Sequence, residues 1–299
     1  MNLRRVVSLG IIAALLVACQ QDDTSSTPTR TPTPPILAAS PTVDPILPTN
    51  DPYSGAAVGL SNPTQAGLAA EGEPDIPLPT LTPGLPQATL PMVITASDGL
   101  ALRGTLFNPP TRPAPIVVLL PEERLDRSSW DSLAARLQAE GYAVLTVDLR
   151  GYGETGGSVD WSLAPADIQA VLELIKQLSG IDPARLTLVG SSISANLALR
   201  GCADVSYCHS VVLLSPGLDY RGLTAADAMA RLGARPVLII ASQNDENNPG
   251  DSVALDGMAT GAHQLILYPA AGHGMAMFTA EPATLDTIVN WIKTTNPPG

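Results

Sequence analysis

Residues Arg185–Leu199 read RLTLVGSSISANLAL, and the fold of the chain turns on how this stretch is read. The apolar run that closes at Val189 has the character of a parallel strand buried on both faces. Gly190 stops it, and small and aliphatic residues from Ala195 onward begin a helix a few positions later. Between the two, Gly190-Ser191-Ser192-Ile193-Ser194 fits the pattern G-x-S-x-small. Such a strand–turn–helix is so tight that bulky residues flanking the serine collide with strand or helix. The central serine is held in a strained backbone conformation with its hydroxyl above the sheet. Ser192 is therefore the candidate nucleophile, and the N–H of Ile193 is one candidate donor to an oxyanion. A Gly-Ser-Ser turn carries little weight alone. Its position straight after an apolar strand and before a small-residue helix is what gives it meaning.

Outward from this stretch, Ile116–Leu120 (IVVLL) and Tyr142–Val147 (YAVLTV) are further buried-strand runs. Upstream, Met92–Ala96 and Leu100–Phe107 read as strands joined through the hairpin turn Ser97-Asp98-Gly99. Ser128 or Ser129 caps a helix that runs to Glu140 and is ended by Gly141, and Asp167–Leu178 is an amphipathic helix. Downstream come strands at Ser210–Leu214, Pro236–Ala241 and Gln264–Tyr268, with helices near Ala225–Leu232 and Pro282–Lys293. Strands alternating with helices after an initial hairpin predict a mostly parallel sheet with right-handed crossovers.

The two ends of the chain differ in kind. Of 299 residues 29 are proline, aromatics are 4% and charged residues 15%, which suggests an Ala/Leu/Val-rich folded part joined to something Pro-rich and unfolded. A net charge of −12 argues against nucleic acid or an anionic membrane surface as electrostatic partners. Residues 1–19 have a basic start at Arg4 and Arg5 and an apolar run too short for a membrane span, the pattern of an export signal. Leu16-Val17-Ala18-Cys19 resembles the bacterial lipobox, which implies lipidation at Cys19 and an extracytoplasmic, membrane-tethered protein. Residues 20–88, with TSSTPTRTPTPP and PDIPLPTLTPGLPQ, read as a disordered, partly polyproline tether that docks at most locally from about Pro77. The folded domain is expected over 89–297. Cys202 and Cys208 remain as an even pair in an exported chain, which permits a disulfide. No Cys-x-x-Cys or His-rich spacing suggests a metal.

Four pieces together carry a family resemblance: the serine turn, the DLRGYG turn (Asp148–Gly153), the acid loop SQND (Ser242–Asp245), and AGHG (Ala271–Gly274) after the last strand. Over residues 90–295 the chain resembles the α/β-hydrolase fold, closest to small serine hydrolases of the dienelactone-hydrolase and S33-peptidase-like group. The resemblance implies a mostly parallel central sheet with helices on both faces. The connection from Leu214 to Pro236 is short, which implies no cap domain and an open site.

A serine hydroxyl needs a base within hydrogen-bond reach. Of three histidines, His209 and His263 sit at strand starts, whereas His273 lies just past the carboxyl end of the last strand, where ligands gather in open α/β sheets. His273 is the candidate base. Asp245 follows the strand PVLIIA and gives the chain order Ser, Asp, His, with Glu246 and Asp251 as alternatives in the same loop. The second oxyanion donor is expected from the loop after IVVLL. Pro121 has no N–H there, so Glu123, or Glu122, has to donate. A carboxylate at that place opposes an oxyanion unless it turns away or pairs with Arg124. Glu154 is read as a loop residue, Met275, Met277 and Phe278 as pocket wall or core, and Trp130 and Trp161 as entrance or core. The resemblance implies a serine hydrolase of carboxylic esters, working through an acyl-enzyme on a small-molecule substrate, with no cofactor and as a monomer. The alternatives are a non-catalytic binding lipoprotein, or an acyltransferase or peptidase with the same triad.

Overall fold

The computed structural model describes residues 89–109, 111–245 and 249–298. The readings of residues 1–19, Cys19 and the segment 20–88 lie outside the described residues, as does Glu246.

Among the described residues, ten strands and seven α-helices follow one another in an alternating series. Strands β1 (Thr89–Thr95) and β2 (Ala101–Phe107) form the initial hairpin, and β3 (Ala114–Leu120) is the first fully buried strand. Helix α1 (Asp131–Ala139) leads to β4 (Ala143–Val147), and α2 (Ala164–Ile175) to β5 (Ile181–Ser191). Next come α3 (Ile193–Asp204), β6 (Cys208–Leu214), the two-residue strands β7 (Asp219–Tyr220) and β8 (Leu223–Thr224), α4 (Ala226–Leu232) and β9 (Val237–Ser242). Helix α5 (Pro249–Met258), β10 (His263–Tyr268), α6 (Met277–Ala280) and α7 (Ala283–Thr295) complete the series.

Eight strands make one sheet in the order β1-β2-β4-β3-β5-β6-β9-β10. The pairs β1/β2 and β2/β4 are antiparallel; every pair from β4 to β10 is parallel. The strand alternation divides the core into two layers. Ile116, Val118, Leu145, Leu188, Val211 and Ile239 face α2, α3 and α4. Val117, Leu119, Val144, Val189, Val212 and Ile240 face α1 and α7. Because β3 and the later part of β6 are covered on both sides, they read as unbroken apolar runs.

The sheet is that of the α/β-hydrolase fold, and the β6–β9 connection holds the β7–β8 hairpin and α4 in place of a cap domain. Strands β7 and β8 and helix α5 lack a sequence signal. Strands β7 and β8 are too short to show alternation, and α5 opens on Pro-Gly and carries a second glycine at 257.

The DLRGYG turn serves the frame. The Asp148 carboxylate, fully buried, accepts the N–H groups of Arg127 (2.7 Å) and Glu154 (2.8 Å) and pairs with the Arg127 guanidinium. A Cβ at Gly153, whose φ is 53°, would lie 2.4 Å from that carboxylate. Arg150 reaches Asp167 on α2 (2.6 and 2.8 Å) and Asp98 in the first hairpin turn (2.7 Å). These hydrogen bonds hold the Arg150 guanidinium well above its ordinary pKa. Trp130 is buried in the core, edge-on to Phe278, Met277 is core, and Glu154 pairs with Arg127. Trp161 packs beside Tyr152.

Candidate active site

At the end of β5 the chain reverses into α3 within one residue. Ser192 sits at φ 58° and ψ −127°, a conformation that costs a side-chain-bearing residue about 1–3 kcal/mol and persists only when its surroundings impose it. Three constraints do so. The Ser192 N–H donates to Leu214 O at the tip of β6 (2.8 Å). Gly190 faces α3 so closely that a Cβ would lie 2.0 Å from Ser194 O. The Ser194 hydroxyl donates to the Pro121 carbonyl, tying the turn to the loop after β3. Ser194 thus has work that a glycine there could not do.

The Ser192 hydroxyl lies 2.8 Å from His273 Nε2. On the other side of the ring, Nδ1 meets both Asp245 oxygens, at 2.8 and 2.9 Å. Asp245 is almost fully buried, while the His273 side chain keeps a quarter of its surface exposed. The acid loop and the histidine loop are stitched together by side chains the motifs do not include. Ser242 Oγ accepts Ala271 N–H (2.7 Å) and donates to Asn244 Oδ1, which accepts Gly272 N–H (2.9 Å). Gly274 N–H donates to Ser215 Oγ (3.0 Å). Among the alternatives, Asp251 instead accepts the Leu218 N–H (2.8 Å). His209 meets the Thr295 carbonyl and His263 the Gly261 carbonyl, both remote from Ser192.

Glu122, Glu123, Ser192, Ile193, Tyr220 and His273 line one open pocket of about 400 Å³, with Arg124 and Arg221 at its rim. The two glutamates have separate partners. Glu122 accepts the Ser191 hydroxyl and the Met275 N–H, both at 2.9 Å, and so braces the elbow against the histidine loop. Gly274 (φ 54°) makes room for it, since a Cβ there would lie 2.1 Å from Glu122 Oε2. Glu123 pairs with Arg221 through both oxygens at 2.9 Å, so the cation that meets it is Arg221 and not Arg124. Arg221 belongs to the β7–β8 turn, ninety-eight positions away in the chain, and no local pattern announces that pairing. Tyr220, from the same hairpin, is a pocket residue that the sequence reading passed over; an aromatic in a short loop carries no motif.

A larger cleft, about 630 Å³, opens elsewhere beside Thr105, Phe107 and Asp131. Arg127 in its wall is engaged by Asp148 and Glu154, and no histidine lines it. Among the described residues no group of three His, Cys, Asp or Glu side chains could hold a metal. Cys202, on α3, and Cys208, opening β6, are joined by a disulfide across a Cα–Cα distance of 5.2 Å.

Residues 117–242 match the model of the alpha/beta hydrolase family. An uncharacterized protein of Mycobacterium tuberculosis is 28% identical over 239 residues, covering 73% of this chain and 84% of that protein. Among solved structures, the esterase Pf2001 of Pyrococcus furiosus superposes with a TM-score of 0.60 at 17% identity, over 70% of this chain and 94% of its own. The acetyl xylan esterase of Paenibacillus sp. R4 superposes with a TM-score of 0.60 at 14% identity, over 71% and 90%. At such identities the likeness to the solved structures is one of fold. The fold is thus the α/β-hydrolase fold, and the stretch that resembles the alpha/beta hydrolase family spans the serine turn.

Proposed function

We propose that the protein is a serine hydrolase that cleaves carboxylic esters through an acyl-enzyme. The observation that carries this reading is the continuous hydrogen-bonded series from the Ser192 hydroxyl through His273 to Asp245. Ser192 Oγ attacks the ester carbon as His273 Nε2 takes its proton. Asp245 holds Nδ1 protonated and stabilises the imidazolium. His273 then delivers the proton to the departing alkoxide, and water, activated by the same nitrogen, releases the acid. Ile193 N–H and Glu123 N–H are the proposed backbone donors to the oxyanion. The pocket wall is mostly polar, with Ile193 its one aliphatic side chain, so short acyl groups suit it better than long chains.

The test is covalent. A fluorophosphonate probe labels the folded protein and hydrolysis of p-nitrophenyl acetate proceeds, while Ser192→Ala abolishes both. Failure of the native protein to take up label ends the catalytic reading. We also propose that Cys19 is lipidated and tethers the domain outside the cytoplasm. Metabolic labelling with an alkynyl palmitate that survives Cys19→Ser would overturn that assignment.

A further inference from the structure

The loop after β3 is short of hydrogen-bond donors. Pro121 has no N–H and its carbonyl is taken by Ser194, while Glu122 and Glu123 bring two carboxylates to the place where negative charge has to develop. A further donor near Ser192 would offset those carboxylates, and the β7–β8 hairpin holds one.

The hairpin is fixed from below. Asn196, fully buried on α3, donates to the carbonyls of Gly217 (2.9 Å) and Leu223 (2.6 Å) and accepts the Gly217 N–H (3.2 Å). Arg221 fixes it from the far side by its pairing with Glu123. Within this frame the Tyr220 ring packs against Gly217, where a Cβ would come within 2.9 Å of it. Its hydroxyl donates to Ser215 O over a long 3.3 Å, and the residue lines the same pocket as Ser192 and His273. Burial, followed by the negative charges of Asp245, Asp251 and Glu122, pushes the phenol up to about 12. The same pocket presents Glu123, Arg124, Arg221 and His273. Tyr220 therefore keeps its proton, and a neutral phenol is a donor.

We propose that Tyr220 is a catalytic residue, donating a hydrogen bond from its hydroxyl to the ester oxygen that becomes anionic when Ser192 attacks. This rests on the nucleophile assignment above. As the Oγ–carbon bond forms, the π pair of the C=O bond moves onto that oxygen, and the Ser192 proton passes to His273. Tyr220 exchanges its long bond to Ser215 O for a charge-assisted one and retains its proton. When the tetrahedral centre collapses, the C=O bond is restored, the bond to the alkoxide breaks, and the His273 proton leaves with the alcohol. The same donation recurs when water attacks the acyl-enzyme.

The experiment is Tyr220→Phe assayed with p-nitrophenyl acetate and with a trifluoromethyl ketone, which forms an anionic hemiketal on the serine. Loss of one such donor lowers kcat by about 100-fold, with KM little changed, and weakens the ketone in parallel. A kcat within threefold of the parent, or a loss confined to KM, overturns the proposal. Near-UV circular dichroism establishes that the variant is folded. Should it misfold, 3,5-difluorotyrosine at position 220 keeps the shape and makes the phenol more acidic. The alkaline limb of kcat then moves to lower pH, and an unmoved limb overturns the proposal. Ser192→Ala distinguishes the two levels: turnover that survives it refutes the nucleophile, whereas turnover lost in Ser192→Ala but kept in Tyr220→Phe refutes only the role of the phenol.

Discussion

Ser192 occupies its costly backbone conformation because Gly190, Ser194 and Leu214 leave the turn no cheaper one. The same economy of local causes made part of the site readable in the sequence. Ser192, Asp245 and His273 each follow a strand at the carboxyl edge of the sheet, so their positions are announced by neighbours in the chain. Ser242 and Asn244 act through partners remote in sequence, and nothing within a few residues of them marks the pairing, while Tyr220 sits in a two-residue strand that carries no pattern. Replacing Asp245 by Asn keeps the hydrogen-bonding shape but lets the ring take the wrong tautomer. On the proposed mechanism kcat falls by about 10⁴-fold, read with p-nitrophenyl acetate. The phenol of Tyr220 gives a second prediction at this scale. Its folded pKa of about 12 lies above the ordinary value of about 10, so the folded state binds that proton more tightly. The resulting stabilisation is fully present below about pH 10 and is lost as the pH rises toward 12. Tyr220→Phe therefore loses less stability than the parent between those limits, seen as a smaller drop in urea midpoint. An equal drop in both proteins refutes the shift.

At the scale of elements, unbroken apolar runs were legible because a doubly covered strand has no polar face to disguise it. The β7–β8 hairpin was not, since its strands of two residues are held by Asn196 and Arg221 and not by any pattern of their own. Removing that support is informative. Asn196→Ala leaves the Gly217 and Leu223 carbonyls and the Gly217 N–H without their side-chain partner, at a cost of about 1–3 kcal/mol in denaturant unfolding. It also slows fluorophosphonate labelling, because Tyr220 and Arg221 lose their footing. Gly190→Ala acts on a different junction. With 2.0 Å between the new Cβ and Ser194 O, β5 and α3 have to separate, which costs about 1–3 kcal/mol or more and displaces Ser192. A variant of full stability and activity would show that the junction has slack the distances deny.

For the molecule as a whole, one sheet serves two cores. Leu137 on α1 and Leu172 on α2 are both fully buried but lie on opposite faces. Truncation of either to Ala is expected to cost about 2–5 kcal/mol, and near- and far-UV signals still change together, because neither layer has a second surface to pack on. Separate transitions in one variant would mean that the layers fold independently. The connection between β6 and β9, a hairpin and one short helix, has a consequence for how substrate is met. Many lipases wait for an oil–water boundary to peel a helical lid from a buried serine; here no lid-sized insertion stands in that connection. On the proposed ester hydrolysis, rate should then climb smoothly as a soluble ester is raised through its critical micelle concentration, with no step at the point where aggregates form.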